Sequence, residues 1–275
     1  MLENGASPSS GSISMSIEPL HKSEPASAEP IESSTRRGVY LIPNLLTTSA
    51  LFAGFFSIIA SMNGNFISAC VAIFVAQLLD GADGRVARMT HTQSEFGAQY
   101  DSMSDVMAFG LAPALLAFQW SLQGLDKVGW IAAFIYVAGA ALRLARFNTQ
   151  IGKVDKKYFI GLASPAGAAV IWSTIWSMEK FGISGDQLSW LMVILTPLIG
   201  IMMVSPVRYF SFKDISAQRR VPFFALLAIV LVFALVALDP ARVLFGFAFT
   251  YALHGPVMEL WRFVKLKKQK TETSA

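Results

Sequence analysis

The sequence predicts an all-α, polytopic membrane bundle of about eight transmembrane helices, and three observations carry that prediction. The chain of 275 residues is 54% hydrophobic and only 15% charged, whereas a soluble domain carries about 25% charged residues. Apolar runs of about 20 residues, the length that crosses about 30 Å of hydrocarbon, recur along it. Its basic residues gather on alternate connections between those runs.

The elements follow in order. Residues 1–38 hold ten Ser, four Pro and few large apolar side chains. Such a segment buries too little surface to offset its chain entropy, so a disordered cytoplasmic tail is expected. It lacks the cationic start and apolar core of a cleaved signal peptide. Spans are expected over 42–62, 66–88, 96–120, 127–148, 160–178, 187–205, 221–238 and 241–263, which makes 39–264 the membrane domain. Residues 265–275 form a basic tail. With the N-terminus inside, 19 of the 22 Lys and Arg fall on the inner side, and only Lys127, Lys180 and Arg242 fall outside. The positive-inside rule therefore places both termini in the cytoplasm. The net charge of +4 suits anionic lipid headgroups and calls for no nucleic-acid partner. Cys70 stands alone in an apolar run, as a small packing residue with no intrachain disulfide to make.

The chemistry lies between Asp80 and Asp105, in DGADGRVARMTHTQSEFGAQYDSMSD. An Asp near the centre of a span costs about 2.5–3.5 kcal/mol on insertion scales. Four at span ends cost less but still require a reason. Asp80 and Asp83 are i, i+3 and share a helix face, as do Asp101 and Asp105 at i, i+4. The short connection between the second and third spans brings both pairs to one depth. Four converging carboxylates repel unless a cation sits among them, and hard divalent ions such as Mg²⁺ or Mn²⁺ take oxygen ligands of this kind. Two such ions can clamp a phosphate in displacement chemistry. Gly81, Gly84 and Gly97 leave room for a ligand, and Arg88 can neutralise phosphate. Solvated helix caps would not need paired acids with interleaved Gly. An ion-coupled transporter also buries carboxylates, but near the midplane on broken helices, whereas this cluster sits near the cytoplasmic ends.

Asp80-x-x-Asp83-Gly84-x-x-Ala87-Arg88, then eight residues, then Gly97-x-x-x-Asp101-x-x-x-Asp105 resembles the signature of the CDP-alcohol phosphatidyltransferases. The lead-in Pro43-Asn44-Leu45-Leu46-Thr47, the runs SDVMAFGLAPALLAF and RLARFN, and GLASPAGAA at 161–169 resemble the bacterial membrane-embedded branch that makes phosphatidylserine. The resemblance implies transfer of a phosphatidyl group from CDP-diacylglycerol to L-serine, with release of CMP, in the bacterial inner membrane. It implies that Asp80, Asp83 and Asp101 are metal ligands, and that Asp105 shares the metal site and acts as general base. It places Gly84, Arg88 and Ser94 at the cytidine diphosphate, with Asn44 and Thr47 approaching from the first span. Two ions, Mg or Mn, and a homodimer are implied with them.

Serine offers a carboxylate, so its site needs a cation. Arg143 and Arg146, at the inner end of the fourth span beside Asn148, are the candidates, although basic residues there need no ligand to be explained. Glycerol 3-phosphate, inositol phosphate and choline are the alternative acceptors. His91 is expected to be a polar loop residue.

Overall fold

The computed structural model describes residues 33–90, 92, 94–150, 158–210 and 223–273. The first 32 residues, most of the expected tail, lie outside the described set. Helix α1 (Ser33–Met62) begins within the segment expected as tail and carries Pro43 internally. A turn with Gly64 at φ 73° then reverses the chain into α2 (Phe66–Met89). Gly suits this turn because a left-handed φ carries no Cβ penalty there.

Helix α3 (Glu95–Asp105) runs through a π-helical stretch (Val106–Leu111) into α4 (Ala112–Ala117) and a second one (Phe118–Leu122). A π turn spaces its carbonyls off the α-helical ladder. The Tyr136 hydroxyl answers one of them, donating to the Phe109 carbonyl at 3.0 Å from a fully buried position. Tyr136 belongs to α5 (Asp126–Gln150), which doubles back after Asp126, a residue held at φ 48°. Helix α6 (Ser164–Lys180), α7 (Ser189–Val204), α8 (Phe223–Leu238) and α9 (Pro240–Thr273) complete the bundle. Two three-residue strands, β1 (Tyr158–Ile160) and β2 (Arg208–Phe210), pair antiparallel and are the small departure from an all-α chain.

Among the described residues, five stretches are long and apolar enough to cross a membrane: Ile42–Met62, Phe66–Met89, Glu95–Thr149, Gly185–Val204 and Pro240–Arg262. The third is 55 residues long and contains the reversal at Asp126. Helices α6 and α8, at 17 and 16 residues, fall short of that length. Large apolar side chains such as Phe52, Trp190 and Phe233 face outward, as they do where the solvent is lipid.

Side-chain bonds define the two ends of the bundle. At one end Trp120 donates to Glu179 at 2.6 Å, Ser189 donates to the Ser121 carbonyl at 2.9 Å, and Lys180 and Arg242 both pair with Asp239 at 3.2 Å. Lys180 and Arg242, expected on the outer side together, thus share one carboxylate. At the other end lie the four aspartates and the C-terminal part of α5.

Small residues set the helix spacing, as is usual where lipid gives helices no hydrophobic reason to associate. Helices α5 and α7 cross where a Cβ added to Gly139 would lie 2.3 Å from the Gly200 carbonyl oxygen. Neither helix can yield without separating, so Gly139→Leu is expected to destabilise the protein by about 3 kcal/mol or more. Thermal unfolding in detergent checks this, and an unchanged Tm would show that the crossing is looser than described.

Candidate active site

The four aspartates reach the site from two helices. Asp80 and Asp83 stand near the C-terminal end of α2, and Asp101 and Asp105 on α3, with Asp105 closing the regular helix just before the π stretch. Ser94 caps α3, its hydroxyl accepting from the Gly97 N–H at 3.0 Å. That cap fixes where the helix starts and therefore which turn carries Asp101.

Asp80, Asp101 and Asp105 come together, each offering an oxygen within 4.8 Å of the others. One Asp101 oxygen, Oδ1, is buried without a hydrogen-bond partner, and no ion pair among the described residues includes any of the four aspartates. Three crowded carboxylates with an unsatisfied buried oxygen fit a divalent cation, which supplies the missing positive charge and takes oxygen donors. Asp83 is held differently. It is buried, and its Oδ2 accepts from the Thr47 hydroxyl at 2.6 Å. Thr47 has one proton to give, and this short contact fixes the Asp83 rotamer.

The other expected residues divide into those gathered at the site and those with local partners. Asn44 reaches the start of α3: a Cβ on Gly97 would sit 3.4 Å from its Oδ1 and 3.0 Å from the Ser94 hydroxyl. Gly97 is therefore a close approach between α1 and α3. Gly84 lies beside the Arg88 guanidinium, and Gly81 faces open space. Arg143 donates to the Ser164 hydroxyl at 2.8 Å, has a buried Nε without a hydrogen-bond partner, and lies within electrostatic reach of Asp105. Arg146 donates to the Val204 carbonyl at 2.8 Å, capping the last turn of α7. Asn148 donates to Ser102 on α3 at 3.0 Å. His91 lies outside the described residues.

The pattern of the CDP-alcohol phosphatidyltransferase family matches residues 40–204, a stretch that contains every residue placed above. The chain belongs to the CDP-alcohol phosphatidyltransferase family. Among curated relatives, a Helicobacter pylori protein named CDP-diacylglycerol–serine O-phosphatidyltransferase is 34% identical over 237 residues, covering 86% of this chain and 98% of the relative. Proteins of the same name from Mycobacterium tuberculosis and Bacillus subtilis are 32% and 34% identical. They cover 80% and 55% of this chain, and 79% and 86% of their own lengths.

In this phosphatidyltransferase, two polar contacts escaped the reading of the sequence. Tyr100 shares a 2.9 Å hydrogen bond with Thr48, which joins α3 to α1 one residue before Asp101. Gln77, one turn before Asp80, is bonded across to α6. Gln77 had a visible signal, being a lone amide inside the apolar run FVAQLLD. Thr48 and Tyr100 had none, because neither residue type stands out beside the polar end of an expected span.

The Thr47 bond has a direct consequence. Thr47→Val keeps the shape and removes the donor; with Asp83 as the metal ligand the family resemblance implies, metal affinity or activity is expected to fall about 10–100-fold. Thr47→Ser is expected to keep most of the wild-type value. Titration of Mn²⁺ into purified protein reads the difference, and equal affinity in the Val variant would detach Thr47 from the site.

Proposed function

We propose that this phosphatidyltransferase moves the phosphatidyl group of CDP-diacylglycerol to L-serine, giving phosphatidylserine and CMP. The observation that carries the reading is the convergence of Asp80, Asp101 and Asp105 within the segment that matches the family. The serine acceptor is supported by the names of the relatives, two of which align with 80% or more of the chain.

Asp105 takes the proton of the serine hydroxyl as its oxygen approaches the phosphorus of the phosphatidyl group, since that hydroxyl is a poor nucleophile at neutral pH. One P–O bond forms to serine, the P–O bond to CMP breaks, and no covalent enzyme intermediate is required. Asp80, Asp83, Asp101 and Asp105 are the proposed ligands of two divalent ions, Mg²⁺ or Mn²⁺, with Asp83 aimed by Thr47. Bound there, the ions supply charge stabilisation to the diphosphate and to departing CMP. Gly84, Arg88, Ser94 and Asn44 border the cytidine diphosphate. Arg143 faces the acceptor carboxylate, which its unpartnered Nε and its reach to Asp105 support. Arg146 belongs to the same pair, although its bond to Val204 gives it a structural duty as well.

The proposed layout has eight crossings, with residues 1–38 and 265–275 as cytoplasmic tails and the site opening to the cytoplasm of a bacterial inner membrane. The basic-residue asymmetry supports this orientation. The reversal at Asp126 makes two crossings of the 55-residue stretch, and α6 and α8 supply two more. A homodimer belongs to the proposal through the family alone.

The test is lipid labelling. Purified protein in vesicles containing CDP-diacylglycerol and Mn²⁺ is given labelled serine. Label that enters the lipid phase as phosphatidylserine supports the reading, and label that remains aqueous overturns the serine assignment.

A further inference from the structure

Gln77 lies on α2, three residues before Asp80, and therefore shares its helix face. Its side chain is bonded at both ends to α6. Nε2 donates to the Pro165 carbonyl at 2.5 Å, and Oε1 accepts from the Trp172 indole N–H at 2.7 Å. The orientation of the amide is unambiguous, since a carbonyl only accepts and an indole only donates. Trp172 is 2% exposed, and the ring of Phe74, one turn before Gln77, packs on it with centroids 5.4 Å apart. This face of α2 is thus pinned to α6 by one polar clamp and one ring contact.

The same turn of α6 holds the other side of the site. Ser164, adjacent to Pro165 and fully buried, accepts from Arg143 on α5 at 2.8 Å, and Arg143 lies within electrostatic reach of Asp105. The start of α6 is therefore a common anchor for the helix that carries Asp80 and for Arg143.

We infer that Gln77 is a positioning residue: by clamping α2 to the first turn of α6 and to Trp172, it sets the direction in which the Asp80 carboxylate meets Asp101 and Asp105. A rotation of α2 would carry Asp80 out of a group whose oxygens lie within 4.8 Å of one another, and the clamp opposes that rotation. Gln77 touches no reacting atom. It acts through Asp80, and the inference rests on the metal-site reading proposed above.

The test separates positioning from packing. Gln77→Met keeps length and bulk but removes both hydrogen bonds, leaving the Trp172 indole N–H without its acceptor. The double variant Gln77→Met with Trp172→Phe removes that orphan too, and removal of both partners of a buried bond can be nearly neutral for stability. Mn²⁺ binding to detergent-purified full chain, without substrates, is followed by the EPR signal of free Mn²⁺, alongside Tm. The expected result is a Kd for Mn²⁺ raised about 10-fold or more in both variants, with Tm lowered in the single variant and recovering in the double. Wild-type Kd in the single variant, or a Kd that recovers together with Tm, would overturn the inference. Absence of Mn²⁺ binding by the wild-type chain would instead overturn the metal-site reading on which it rests.

Discussion

Asp105→Asn is expected to lower CMP release by about 10³-fold, within the 10²–10⁴-fold range of positioned acid–base catalysis. Asn fills the same volume and retains one carbonyl oxygen toward Asp80 and Asp101, so the bundle is expected to stay folded. What disappears is the group proposed to take the serine proton. Because Asp105 also belongs to the carboxylate group, the rate is measured at saturating Mn²⁺, where weakened metal binding no longer limits it. A large loss that persists there assigns the proton transfer to Asp105. Unchanged turnover removes Asp105 from that role.

Chelation has an equally large expected effect. EDTA is expected to bring CMP release to background, and excess Mg²⁺ or Mn²⁺ to restore it. The Asp80, Asp101 and Asp105 oxygens crowd one another, and Asp101 Oδ1 is buried without a donor. Without the proposed cation those charges would face each other and the diphosphate charge would go uncompensated in a low-dielectric setting. Full activity after exhaustive chelation would contradict the proposed metal role of the three carboxylates.

Much of this site was legible in the sequence because helical spacing alone constrains it. Asp80 with Asp83 and Asp101 with Asp105 had to share faces, and the short link between α2 and α3 had to bring the pairs to one end. The division of labour was not legible. Asp83 is turned toward Thr47 while Asp80 faces α3, and that depends on how far α2 is rotated against α1. The seating of the π stretch after α3 against α1 is a packing detail of the same kind: Gly54 approaches Ala108 so closely that an added Cβ would lie 2.8 Å from the Ala108 Cα.

The same limit explains the other surprises. Arg146 could be placed at a span end, but its bond to Val204 needed the α5–α7 crossing, which Gly139 and Gly200 make close. The π stretches after Asp105 and Ala117 left no mark on the hydrophobic pattern, since they change the winding and not the burial of an apolar run. Span positions were read well for α1, α2 and α7, where apolar runs are bounded by polar turns. The third and fourth expected spans are joined in the structure as one long apolar stretch, whose reversal rests on the conformation of a single residue, Asp126.

CMP release by detergent-purified protein given CDP-diacylglycerol and Mn²⁺ decides whether the carboxylate cluster carries out phosphatidyl transfer to serine. Serine, glycerol 3-phosphate, inositol phosphate and choline are each supplied separately. Release is expected to depend on serine and on the metal. Release with another alcohol would keep the carboxylate mechanism and replace the acceptor, and silence with all four, in folded protein, would contradict the proposed reaction.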